Sequence, residues 1–160
     1  MGYEIAFPDD VVPVKIKWSR SYDVDKVLSG EIQEDFDAYF YKITGHYSQY
    51  VKLFYIGKVF KQTISQRLSQ PDHRTRQKKL GNNYPRHKIK IGLGIPEIAR
   101  KTKEIIDDIE SILIYSNWNE NVGNAKKIYK CDIGKSQLLI TNTGFYRPLH
   151  KISCKAVFVK

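Results

Sequence analysis

Glu110 stands where a carboxylate is hard to accommodate. A helix through Ile109-Glu110-Ser111-Ile112-Leu113-Ile114 sets it between Ile106 and Leu113 on one side and Ile114 on the other, against an otherwise apolar arc. A charge held there needs a cation, a hydrogen-bond network or a raised pKa. Arg67 is a second candidate. Ile64 and Leu68 recur four apart on a short helix that Thr63 or Ser65 can cap, which leaves Arg67 on the rim of its packed face. A third feature is the interval from His73 to Pro96, which has no carboxylate and carries Arg74, Arg76, Lys78, Lys79, Arg86, Lys88 and Lys90. Side chains of this kind neutralise phosphates and release condensed counterions, so the chemistry indicated is that of a polyanion.

Two strands must position these groups. Ala38 to Thr44 alternates as one. Val51 to Ile56 alternates as the other and is closed by Gly57, with the polar stretch Gly45-His46-Tyr47-Ser48-Gln49 as a hairpin loop between them. The pairing would bring Tyr41 and Tyr55 onto neighbouring antiparallel strands. The Arg67 helix follows and ends at Pro71. A basic loop containing Gly81-Asn82-Asn83-Tyr84-Pro85 comes next, in which Tyr84 could stack on a base or sugar. Lys88 to Ile91 reads as a third strand, and Gly92-Leu93-Gly94 as the turn into a helix. That helix is predicted to start at Pro96, with Ile98, Ile105, Ile109 and Ile112 as its buried stripe, and to reach Tyr115 or Trp118.

In this order the pieces resemble the GIY-YIG nuclease family. Tyr55-Ile56-Gly57 stands for YIG. In the first tripeptide Tyr39 and Phe40 replace the glycine and isoleucine, and Tyr41 keeps the tyrosine. The likeness runs from Asp37 to Asn124 and implies an α/β (α+β) domain, a three-stranded antiparallel sheet flanked by helices, here extended by extra N- and C-terminal strands. It implies a metal-dependent DNA endonuclease. Tyr41 would be the base and Tyr55 would align water or phosphate, or the reverse; in water a tyrosine titrates near 10, so either needs cations to stabilise its phenolate. Arg67 would fork two hydrogen bonds onto the scissile phosphate. Glu110 would be the metal ligand, its single carboxylate suiting Mg²⁺ or Mn²⁺ rather than zinc. His73 would relay a proton from Tyr55 and Lys58 would contact phosphate. The family's asparagine falls on Asn117, Asn119, Asn121 or Asn124, with Asn124 the best placed. An alternative is a non-catalytic nucleic-acid-binding module with the same fold.

The whole chain supports a polyanionic partner. Its 27 Lys and Arg against 17 Asp and Glu give a formal net charge of +10, unevenly spread. Residues 1–38 are acidic, whereas Lys126, Lys127, Lys130, Lys135, Arg147, Lys151 and Lys155 make a second basic block with Asp132 as its only acid. With 160 residues the chain is read as one domain, with a nuclease core over 37–124, an N-terminal extension over 1–36 and a basic C-terminal extension over 125–160.

In the first extension Val12, Val14, Ile16 and Trp18 share one face of a strand, with Pro13 indicating an edge, and a short helix is expected over Val24–Leu28. Asp23, Asp25, Glu31, Glu34 and Asp35 are taken as a solvated acidic face. In the second, Gln137 to Thr141 and Cys154 to Val159 read as strands. Cys131 and Cys154 are expected to be reduced thiols. The sequence shows no leader and no membrane-length apolar run, so a soluble, intracellular (cytoplasmic) protein is expected. The resemblance implies DNA as the partner, duplex first, with RNA also compatible, and a homodimer that would allow both strands to be cut.

Overall fold

The computed structural model describes residues 5–6, 12–118, 138–154 and 157–158. Strands β2 (Val12–Trp18), β3 (Tyr22–Asp23), β4 (Phe40–Tyr47), β5 (Tyr50–Lys58), β6 (Lys88–Glu97), β7 (Leu138–Gly144) and β8 (Ile152–Cys154) form one seven-stranded sheet. Its order is β5-β4-β6-β2-β7-β8, and β3 pairs with β6 beyond the end of β2. β1 (Ile5–Ala6) and β9 (Val157–Phe158) form a separate antiparallel pair. The helices are α1 (Val24–Leu28), α2 (Ile64–Leu68), α3 (Pro71–Asn83) and α4 (Lys103–Asn117), with a 3-10 turn at Gln33–Phe36. The protein is thus a mixed α/β fold whose three-stranded antiparallel core, β5-β4-β6, is enlarged by strands from both extensions.

Alternation along the strands divides the core into two layers. Phe40, Leu53 and Ile56 face α4 and its Ile106, Ile109, Ile112, Leu113 and Ile114, together with Val14, Ile16 and Trp18 of β2. Tyr41, Ile43, Ile91 and Leu93 face the opposite layer, which holds Val27 of α1 and Ile64 and Leu68 of α2. β5 is an outer strand of the sheet, so groups from both layers can converge around it.

Several local expectations change because long-range pairing outweighs local signals. β4 continues through His46 and Tyr47, leaving Ser48-Gln49 as the hairpin turn, with Ser48 at φ 52°. Gly92 and Gly94 lie inside β6, where a Cβ on Gly92 would press on the Lys42 side chain and one on Gly94 on Trp18. Pro96 and Glu97 remain in the same strand, paired with Ile16 and Lys15. α4 therefore starts only at Lys103, capped by Thr102 Oγ1, which accepts from the Ile105 backbone N–H at 3.2 Å. Ile98 precedes it but still packs on the core.

Strand β2 is interior, between β6 and β7, and Pro13 falls outside its β6 ladder, which covers Lys15 to Trp18. The missing N–H therefore costs no bond on that side. α1 spans Val24–Leu28 and is followed by Gly30 at φ 73°. The expected loop from Arg74 is instead the 13-residue α3. Pro71 begins this helix rather than merely ending the previous one, since proline at a first helical position forfeits no intrahelical bond.

Candidate active site

The β4–β5 ladder sets Tyr41 opposite Gly57 and Ile43 opposite Tyr55. Both tyrosines consequently share one face, their ring centroids 5.9 Å apart and their planes 30° from parallel. A Cβ at Gly57 would overlap the Tyr41 ring, so that close approach requires glycine. A register shift between Ile43 and Thr44 leaves Phe54 as the extra residue of β5, packed with Tyr84 at 4.5 Å. Tyr84, expected free to stack on a base, is thereby committed to the protein's own aromatic cluster.

Arg67 is held by a short but heavily capped helix. Thr63 and Gln66 form a reciprocal capping box at the start of α2. Asp35 adds to it. Its Oδ1 accepts from Ile64 N–H at 2.7 Å and its Oδ2 from Ser65 N–H at 3.1 Å. Asp35 is only 3% exposed, so it does not belong to the solvated acidic face expected for it. Ile64 and Leu68 are buried as predicted, and Arg67 donates to Gln70 Oε1 at 2.9 Å.

α3 carries His73 and Arg76, which meet each other, and of the two Arg76 reaches a tyrosine. His73 is 2% exposed and its Nδ1 accepts from Arg76 Nη1 at 3.2 Å. A guanidinium only donates, so the neutral ring carries its proton on Nε2, which lies 3.6 Å from the Asp72 carboxylate. Burial first, then the Arg67 charge, holds the His73 pKa below its ordinary value, with Arg76 adding to this and Asp72 opposing. The same Arg76 covers the Tyr55 ring, its guanidinium carbon 4.2 Å from the centroid. Sequence reading placed Arg76 among phosphate contacts and missed this position.

From the other layer comes α4. Glu110 is 6% exposed, matching the position that the helical period indicates. Its Oε2 lies 3.5 Å from Lys58 Nζ, and Lys58 also pairs with Asp107, one turn earlier on α4. Asp107 precedes Glu110 by three residues, the helical spacing that lets both carboxylates reach one ammonium. Burial pushes the Tyr41 phenol far above its usual value, aided by the Tyr55 and Glu110 charges and opposed by Arg76 and Arg67. Tyr41 is thus within electrostatic reach of all four.

Among the described residues no group of three or more His, Cys, Asp or Glu could hold a metal ion. The oxygen donors available are Glu110 and Asp107, which converge on one ammonium. Two carboxylates already sharing a cation suit a hard ion that keeps water and substrate oxygens as its other ligands, and suit zinc poorly.

Of the expected nucleic-acid contacts, Arg74, Lys78, Lys79 and Arg86 are exposed, and Lys88 is exposed while pairing with Asp23 at 3.3 Å. Asn117 is buried: it donates to Leu113 O and Ser153 Oγ and accepts from His150 N–H, a structural role. Asn119, Asn121, Asn124, Cys131 and the basic residues from Lys126 to Lys135 lie outside the described residues, as does the side chain of Cys154. No helix among the described residues is long and apolar enough to cross a membrane. Compared with protein-family models, curated proteins and solved structures, the chain matches none.

Proposed function

We propose that this protein is a metal-dependent DNA endonuclease of the GIY-YIG type. The observation carrying this reading is the stack of Tyr41 on Tyr55 with Arg76 over the Tyr55 ring, while the Arg67 and Glu110 charges, on α2 and α4, also act on the Tyr41 phenol. An in-line phosphodiester hydrolysis needs a base for water, charge on the phosphate and help for the leaving oxygen. Arg67 binds the phosphate through its fork. Tyr41, held protonated by burial, donates a hydrogen bond and orients its neighbour. Tyr55 is the less buried tyrosine, fixed between Tyr41 and Arg76, and takes the water's proton. This reverses the first assignment made from sequence. Glu110, with Asp107 near it, would hold Mg²⁺ or Mn²⁺, which when bound supplies positive charge to the phosphate. Lys58 then turns from the carboxylates to a phosphate oxygen. A second copy would serve the second strand of a duplex.

A specific contact favours a second reading, a nucleic-acid-binding module that does not cut: the Lys58 ammonium already neutralises Glu110 and Asp107. Incubating supercoiled plasmid with the purified protein in Mg²⁺, Mn²⁺ or EDTA, beside Glu110→Gln and Arg67→Ala, separates the two. The nuclease gives metal-dependent nicking that both variants lose. Equal behaviour of all three, with DNA still retarded on a gel, would leave the binding module.

A further inference from the structure

Lys42 is fully buried on β4, on the face opposite Tyr41, yet carries a group that wants a partner. Its Nζ donates to Phe145 O at 2.5 Å and to Arg147 O at 2.7 Å, in the segment that leaves β7. The Phe145 N–H is also taken, donating to Trp18 O at 3.1 Å. The backbone of this segment is therefore pinned to the sheet. Two carbonyl oxygens that would repel an anion are engaged by Lys42, while the Phe145 ring remains 66% exposed.

Beside this segment lies an open cleft of about 420 Å³, lined by Ser21, His46, Lys90, Phe145, Tyr146 and Arg147. No carboxylate lines it. His46 hydrogen-bonds with Thr44 at 2.9 Å, and burial, then Lys90 and Lys42, keep its pKa below the ordinary histidine value. The charge of the cleft therefore comes from Lys90 and Arg147, with His46 and the Ser21 hydroxyl as neutral hydrogen-bonding groups. A cleft of this size matches small-ligand sites. Two cations beside an exposed aromatic ring combine the two contacts that an unpaired nucleotide offers, a phosphate for the charges and a base face for stacking.

We propose that this cleft binds an unpaired nucleotide of a nucleic-acid strand, with Arg147 and Lys90 on its phosphate and Phe145 against its base. The strand as source rests on the nucleic-acid reading above; the nucleotide chemistry does not. The site would anchor a flank of the substrate on the layer opposite the tyrosines, extending the footprint beyond the exposed cations of α3.

The test uses the full chain in EDTA, which withholds divalent metal, with a short labelled oligothymidylate followed by anisotropy and thymidine 5′-monophosphate followed by NMR shifts. The variants are Lys90→Ala with Arg147→Ala, Phe145→Ala, and Arg74→Ala with Lys78→Ala for comparison, each checked for unchanged thermal unfolding. The double cleft variant should weaken oligonucleotide binding roughly ten-fold or more and flatten its salt dependence by about one ion. Phe145→Ala should weaken it about ten-fold without changing the salt slope. Oligonucleotide binding identical in wild type and cleft variants, with the mononucleotide still lost, would overturn the strand as source and leave a free nucleotide. Both probes unaffected by the cleft variants would overturn the site altogether. Plasmid nicking, assayed separately with metal, reports on the nuclease reading: its absence beside an intact cleft effect would sink that reading and not this one.

Discussion

The ring of Tyr41 lies over the α-carbon of Gly57, its partner across the β4–β5 ladder, and a single added methyl group would strike it. Gly57→Ala should therefore destabilise the protein by about 1–3 kcal/mol through overpacking. Tyr41→Ala makes room for that methyl, so the double variant should be less destabilised than the sum of the two. Urea denaturation of all three proteins checks this; strict additivity would mean that the two residues do not meet.

The two tyrosines should separate kinetically. If Tyr55 takes the proton, Tyr55→Phe lowers the cleavage rate by roughly 10²-fold or more, the range of general-base contributions. Tyr41→Phe, which keeps the stack with Tyr55 at 5.9 Å and the packing on Gly57, should cost about ten-fold or less. Single-turnover rates decide, and the opposite ranking would return the base to Tyr41.

Asp35 reaches the first turn of α2 from 29 residues upstream and satisfies two of its N–H groups. Asp35→Ala should cost about 1–3 kcal/mol by leaving buried donors unmet. Asp35→Asn retains one acceptor and should cost less. Because α2 carries Arg67, cleavage should fall in parallel with stability, which paired denaturation and activity measurements would reveal.

Lys58 holds two α4 carboxylates together. Lys58→Gln should lower stability in EDTA by about 1–3 kcal/mol, since Glu110 would be left buried beside Asp107 without that ammonium. Mn²⁺ should restore most of the loss and bind this variant more tightly than wild type. Thermal melts with and without Mn²⁺ measure both, and a variant indifferent to the ion would argue against a metal at Glu110.

The buried ammonium of Lys42 should be visible in the pH dependence of stability. Burial lowers its pKa from 10.5 to about 7 in the folded protein. Between those values the unfolded chain binds more protons, so stability rises as pH increases through the window and falls as pH returns toward 7. Lys42→Met removes that component. Unfolding free energies from pH 7 to pH 10 should climb more steeply for wild type than for the variant by an amount on the order of a few kcal/mol; parallel curves would contradict it.

Local periodicity determined much of this protein. Alternation places Tyr41 and Tyr55 on paired strands, the four-residue spacing of Ile64 and Leu68 sets Arg67 on a helix rim, and the 3.6-residue period of α4 forces Glu110 inward. These relations depend on neighbours in the chain, so the chain alone carries them. Tertiary structure decided the rest. β2 became an interior strand only when β7 paired alongside it, and Gly92 and Gly94 stayed in β6 because Lys42 and Trp18 occupy the space their side chains would take. Asp35 became a helix cap, Arg76 the cover of Tyr55, and Lys42 the clamp of a segment more than a hundred residues away. Each of these joins residues whose separation carries no periodic signal, and each matches a polar or charged group with partners that only the folded chain brings within reach.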